Sequence, residues 1–178
     1  MTEEEFYKLK IFYKVSIRQI KHDYTNFIEL IKKWYQSERY SEIQERKQFL
    51  SNKLKQQSEN SNFEFSFTNE QLYNLFQWYE RTPKICAYCS IPEKKLIELN
   101  KLPNHINKRF PQRGTSLEID RRKSQLKYTI IENLVLACYW CNNAKTDTFT
   151  DSEFSKVGKV IKEIWTQRFK LKSNKSNK

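Results

Sequence analysis

An α+β fold, mainly helical with one short pair of strands, is predicted by three features of this 178-residue sequence. Glycine occurs only at positions 114 and 158 and the first proline is Pro83, so the N-terminal half holds few helix breakers. Apolar side chains recur at helical spacing through much of the chain. Two stretches, TSLEID (115–120) and NLVLA (133–137), read instead as strands, and they lie between two C-x-x-C pairs.

Each element follows in order. In residues 3–37 an apolar stripe is formed by Phe6, Leu9, Tyr13, Ile17, Ile20, Tyr24, Phe27, Ile31, Trp34 and Tyr35, with lysines and glutamates on the other faces. A second helix is expected over 41–56, carrying Ile43, Phe49, Leu50 and Leu54. QQSENSN (56–62) reads as a loop, and FEFSF (63–67) alternates as a short strand. Thr68 with Gln71 resembles a capping box opening a helix through Tyr79. Pro83 breaks the pattern, and Pro92 begins the short helix PEKKLIELN. Residues 101–114 form a basic loop with two prolines and a glycine. After the strands, a helix is expected over 139–146. Thr150 with Glu153 then caps a last helix bearing Phe154, Val157, Ile161, Ile164, Trp165 and Phe169. The tail KSNKSNK is expected to be disordered. The domain reading is a helical N-terminal region over 1–80, a second domain with its C-terminal helix over 81–170, and a tail over 171–178.

The net charge of +12 and pI near 9.5 suit a polyanionic partner, either nucleic acid or an acidic membrane face. No apolar run approaches the roughly 18 residues needed to span a bilayer. The start, MTEEEFYKLK, is acidic and lacks the apolar core of a signal peptide. A soluble, cytoplasmic protein is expected. In that compartment the cysteines are better explained as metal ligands than as disulfides.

All four cysteines fall in the two pairs, Cys86/Cys89 and Cys138/Cys141. Two intervening residues let both thiolates of a pair turn towards one ion, and two pairs complete a closed, tetrahedral zinc site. With four protein ligands the zinc has no open position, so its role is structural. It pins together segments far apart in sequence.

The stretch SLEIDRRKSQLKYTIIENLVLACYWCNNAKTD (116–147) resembles the core of the HNH endonucleases, many of which are framed by two C-x-x-C pairs. The resemblance runs from Cys86 to Asp147 and leaves the N-terminal region outside it. It implies a ββα-metal unit, two antiparallel strands and a helix around one divalent cation, with Mg²⁺ or Mn²⁺ as cofactor and DNA, duplex rather than RNA, as partner. Asp120 falls on the carboxylate that binds the catalytic metal. Asn133 falls on the central asparagine that braces the inter-strand loop. Asn142 falls on the helix residue that completes the metal site, and Lys145 on the basic residue of C-x-x-C-N-x-x-K. The implied activity is metal-dependent cleavage of DNA phosphodiester bonds.

One position departs from the family pattern. Arg121 stands where most members carry the histidine general base. A guanidinium has no acceptor lone pair and cannot be deprotonated in a protein, so its expected role is phosphate contact. Three readings stay open. His105 in the basic loop, or Tyr128 between the strands, is the base; or the metal itself generates hydroxide; or cleavage is lost and a zinc-stabilised nucleic-acid-binding module remains. An RNA nuclease is a further reading. Basic residues cluster between Lys101 and Lys127, and Arg113, Arg122 and Lys123, together with Lys145, are the expected contacts to the nucleic acid backbone.

Overall fold

Helices and one two-stranded antiparallel sheet make up the described residues of the computed structural model, 1–59, 67–102 and 113–175. Most of the expected FEFSF strand and most of the basic loop, His105 included, lie outside them. The chain divides into two compact units, Met1–Arg81 and Thr82–Lys178.

The first unit is all helical among the described residues. Helix α1 (Glu3–Tyr7) opens on a capping box between Thr2 and Glu5 and passes into a π-helical turn, Lys8–Phe12. Lys14, at a φ of 57°, ends that segment. Then come α2 (Ile17–Asp23), a 3₁₀ turn, α3 (Ile28–Tyr35), α4 (Glu38–Glu59) and α5 (Asn69–Arg81). The stripe expected over 3–37 is therefore cut into pieces. Phe6, Ile20 and Ile31 are buried as that spacing implies, but Tyr7, Ile11 and Phe12 are buried beside them. The π turn holds more residues than an α turn, so the inward face rotates along the segment. Phe12 packs on Phe76 of α5 with ring centroids 5.1 Å apart, and Phe6 on Trp34 of α3 at 5.9 Å. The Thr68–Gln71 capping box is present: Gln71 N donates to Thr68 Oγ1 at 3.2 Å, and Thr68 N to Gln71 Oε1 at 2.9 Å. Helix α4 starts earlier than 41 and continues through the first residues of the expected loop.

The second unit carries α6 (Glu93–Asn100), β1 (Glu118–Arg121), β2 (Leu134–Ala137), α7 (Tyr139–Lys145) and α8 (Asp151–Lys175). The strands pair antiparallel in the register Glu118–Ala137, Ile119–Leu136, Asp120–Val135, Arg121–Leu134. Every residue of both strands is buried. Two strands alone are marginal in water; burial of the whole ribbon, including its charged residues, shows that it is packed on both faces. Gly114 makes the entry to β1 at a φ of +89°, and a Cβ there would lie 2.8 Å from the Trp140 ring. Helix α8 opens on the expected Thr150–Glu153 box, with Thr150 N donating to Glu153 Oε2 at 2.9 Å. It then runs to Lys175, into the stretch expected to be disordered, where no glycine or proline interrupts it.

Candidate functional site

The four cysteines converge from two directions. Cys86 and Cys89 sit on a tight knuckle closed by an Ile85–Pro92 bridge and by main-chain bonds from Cys86 N to Ile91 O and from Ser90 N to Cys86 O, both 2.9 Å. Ser90 accepts the left-handed conformation, φ 58°, that this turn requires. Cys138 caps α7 and Cys141 lies in its first turn. All four side chains are buried, and their sulfur atoms lie within 4.8 Å of one another, Cys89 and Cys138 at 3.7 Å. With Zn–S bonds of about 2.3 Å, a tetrahedron has sulfur–sulfur edges of about 3.8 Å. The cluster fits a zinc ion. The knuckle is also tied to the sheet, since Ala87 N donates to Leu136 O of β2 at 2.8 Å.

Beside the cysteines, β1 and α7 bring together a polar cluster. Period-two alternation puts Glu118 and Asp120 on one face of β1, and helical spacing puts Asn142 and Lys145 on one face of α7. Asn142 Nδ2 donates to Glu118 Oε2 at 2.7 Å. Arg113 grips the other oxygen, Glu118 Oε1, through Nε at 3.2 Å and its terminal nitrogen at 2.6 Å. Two positions along, Asp120 Oδ2 accepts the Tyr88 hydroxyl at 2.7 Å and lies 3.5 Å from Lys145 Nζ, which also donates to Arg121 O at 2.8 Å. Asp120 is 8 % exposed and Lys145 1 %. Burial pushes the Asp120 carboxyl above the usual range, opposed by the Tyr88 hydroxyl and by the charge of Lys145. Burial first, and then the charge of Asp120, push the Tyr88 phenol well up, so Tyr88 stays a proton donor.

The loop after β1 is braced by Asn133. Its Nδ2 donates to Lys123 O at 3.0 Å and its Oδ1 accepts from Lys123 N at 2.9 Å, while Arg122 N donates to Asn133 O at 2.8 Å. Arg121 is buried, with its guanidinium 4.7 Å from the centre of the Tyr128 ring and donating to Leu126 O at 3.1 Å. Burial raises the Tyr128 phenol, and the neighbouring Arg121 lowers it only in part.

Two of the residues expected to meet phosphate are buried in this geometry. Lys145 is enclosed and serves as the counter-ion of a buried carboxylate. Arg121 is enclosed and clamps the inter-strand turn. A strand that buries carboxylates needs cations inside with them, because an unpaired buried charge is strongly destabilising. Arg113 is half-buried on Glu118, with the Tyr139 ring 4.5 Å away. Arg122 remains partly open to solvent while bonded to Asp151 at 2.7 Å, and Lys123 is exposed. His105 lies outside the described residues.

Sequence reasoning missed three participants. Glu118 shares the strand face of Asp120, yet an acidic residue in a basic span carries no signal of its own. Tyr88 was the residue between two cysteines, where its reach to Asp120 had no local signal. Gly158 lies inside α8, where a Cβ would meet Tyr88 O at 2.6 Å. A glycine within an otherwise strong helix is itself a mark of close backbone approach.

Asp120 and Asn142 do not touch each other in this arrangement. They lie on elements joined by the Asn142–Glu118 and Lys145–Asp120 contacts, and each carries a side-chain oxygen. Glu118 is ion-paired to Arg113 and, as a carboxylate, accepts only, so the atom of Asn142 that meets it is the nitrogen. The amide oxygen is thereby the atom left for another partner. A carboxylate and an amide oxygen are donors suited to a hard divalent cation that keeps several waters.

No protein-family model and no curated protein matches the chain. Among solved structures, the chain is similar to the rare-cutting HNH restriction endonuclease PacI, with 25 % identity and a TM-score of 0.50, over 68 % of this chain and 80 % of that one. The α+β architecture, mainly helical with a small two-stranded sheet beside a four-cysteine cluster, resembles an HNH nuclease fold.

Proposed function

We propose that the protein is a divalent-metal-dependent endonuclease that cleaves DNA phosphodiester bonds, with its chemistry in the second unit. The observation that carries this reading is that β1, bearing Asp120, and α7, bearing Asn142, are tied together by the Asn142–Glu118 and Lys145–Asp120 contacts beside a zinc-fitting cysteine cluster, in a fold similar to that of an HNH restriction endonuclease. Asp120 and Asn142 would hold Mg²⁺ or Mn²⁺. When bound, such a cation supplies Lewis-acid stabilisation of the charge that develops on the phosphate and leaving oxygen.

The chain's own residues divide the remaining work. Tyr88 and Lys145 fix the Asp120 carboxylate at one oxygen. Asn133 holds the loop that carries Arg122 and Lys123, and these two exposed cations meet the DNA backbone. Arg121 steadies that loop from inside. His105 is the candidate base. The Ala87–Leu136 main-chain bond ties the knuckle, and therefore Tyr88, to the sheet, and a zinc ion held by the four cysteines would reinforce that tie.

The test is plasmid nicking with Mg²⁺ or Mn²⁺ by the parent and by Asp120→Ala. Cleavage by the parent that Asp120→Ala loses supports the assignment; equal cleavage by both removes Asp120 from the chemistry. Competition between duplex DNA and RNA separates a DNA from an RNA nuclease.

A second reading has its own observation. Arg121 is buried and holds no acceptor for a proton, and Tyr88 and Tyr128 are both shifted away from serving as a base near neutral pH. That favours a zinc-stabilised module that binds nucleic acid without cutting it. It predicts salt-dependent binding, no divalent-cation requirement and no product.

A further inference from the structure

We infer that Glu118 is a positioning residue that sets which end of the Asn142 amide is offered to the cation, and that Arg113 in turn sets Glu118. The inference rests on the proposed metal site and deepens it.

The argument is one of hydrogen-bond direction. Arg113 has only donors, and two of its nitrogens lie 3.2 and 2.6 Å from Glu118 Oε1. Glu118 has only acceptors while ionised, and its Oε2 lies 2.7 Å from the Asn142 amide. The chain Arg113→Glu118→Asn142 therefore has one polarity, and it ends with the amide nitrogen turned to Glu118. Oδ1 is then the free end. An amide nitrogen has no lone pair to offer a cation, so the opposite orientation would remove Asn142 as a ligand. An asparagine side chain alone carries no such preference, because its two ends are nearly equal in shape. The carboxylate removes that ambiguity, and its burial, at 9 % exposure, keeps water from substituting for it.

This leads to an inverted ranking of substitutions. Glu118→Gln and Glu118→Met remove the same charge and keep similar volume. With Gln at 118, Arg113 claims the amide oxygen, so the new NH₂ faces Asn142. Asn142 must then answer with Oδ1 and turn its nitrogen outward. With Met at 118, Asn142 loses its partner but stays free to rotate, and the cation selects Oδ1. The closer analogue is the more damaging one.

The experiment measures Mn²⁺ binding to zinc-loaded full-length protein without DNA, by electron paramagnetic resonance, for the parent, Glu118→Gln, Glu118→Met and Asn142→Ala. Zinc content and thermal melting are followed in each. The expected result is a loss of about 10- to 100-fold in Mn²⁺ affinity for Glu118→Gln, the range usual for residues that orient a metal ligand, and a smaller loss for Glu118→Met. The Asn142 side-chain NH₂ signals give an independent readout from ¹⁵N spectra of metal-free protein. One proton, bonded to the carboxylate, is shifted and protected in the parent and loses both properties in Glu118→Gln. Affinity in Glu118→Gln equal to or above that of Glu118→Met, with Asn142→Ala impaired, overturns the role of Glu118 and leaves the metal site standing. Parent-like binding by Asn142→Ala overturns both.

Discussion

Lys145 shows how a single residue changes meaning between sequence and structure. In sequence it stands at the basic position of C-x-x-C-N-x-x-K and is an expected contact to the nucleic acid backbone. In the fold its ammonium, 1 % exposed, lies between the Arg121 carbonyl and the Asp120 carboxylate. Removing one member of a buried ion pair leaves the other uncompensated, at a cost of about 3–5 kcal/mol, whereas removing both is often close to neutral. Lys145→Met should therefore lower the stability of the second unit by about that amount, read from urea unfolding. Lys145→Met combined with Asp120→Asn should recover much of the loss. If Lys145→Met leaves the unfolding midpoint unchanged, Lys145 is not the counter-ion described. Asn133 makes a milder case: Asn133→Ala strips two bonds from the Lys123 main chain, with an expected cost of about 1–3 kcal/mol for the groups left unpaired.

At the scale of elements, helix caps were legible because their signals are local. The boxes at Thr68–Gln71 and Thr150–Glu153 are both present, and β2 and α7 lie close to their expected places. What depends on three-dimensional pairing was not legible. A π turn after α1 rotated the inward face, and the burial of Glu118, Arg121 and Lys145 follows from partners on other elements. Asp120 and Asn142, the proposed ligands, lie on the strand and helix expected for them, whereas Tyr88 and Glu118, which bond to them, carry no local signal of that role. Gly158 joins the two scales. Its Cα faces the Tyr88 main chain, and a methyl group there would meet Tyr88 O at 2.6 Å and Tyr88 C at 2.8 Å. Gly158→Ala should cost roughly 1–3 kcal/mol through overpacking, despite alanine's better helix propensity. It should also weaken Mn²⁺ binding by displacing the tyrosine that holds Asp120. The cap of α8 has its own pH dependence. The Thr150 N–H, and then its hydroxyl, lower the Glu153 carboxyl below the usual range. A carboxylate lowered on folding contributes stability above its unfolded pKa and loses it as pH falls through the folded one. Amide exchange at the start of α8 should therefore accelerate on acidification in the parent more than in Glu153→Gln, whose amide does not titrate. Equal acceleration in both would remove Glu153 from the cap.

For the whole molecule, the two units rest on different physics. The first closes over aromatic and aliphatic side chains from its helices, Phe6, Phe12, Ile31, Leu50 and Leu75 among them, and its described residues include no cluster of metal-ligating side chains. The second folds a buried two-stranded ribbon, carboxylates included, around a cysteine cluster. A four-cysteine zinc site contributes on the order of 10–16 kcal/mol in peptides, against about 5–15 kcal/mol for the entire stability of a typical domain. Chelation should therefore unfold the second unit and spare the first. The four tryptophans make this measurable, since Trp34 and Trp78 belong to the first unit and Trp140 and Trp165 to the second. Trp140 and Trp165 pack edge to face with centroids 5.4 Å apart, a contact between α7 and α8 that requires the unit to be folded. In a Trp34→Phe/Trp78→Phe background, a strong chelator should shift the remaining emission to that of exposed indole and abolish its cooperative melting. In the reciprocal Trp140→Phe/Trp165→Phe background, emission and melting should stay close to those of the zinc-loaded protein. Cysteine replacement offers the same test without a chelator: Cys141→Ser, which weakens one of the four bonds, should release zinc and give the first result. Native-like emission from Trp140 and Trp165 after complete loss of zinc would mean that the ribbon is held by its own packing and the cysteine cluster is not its staple.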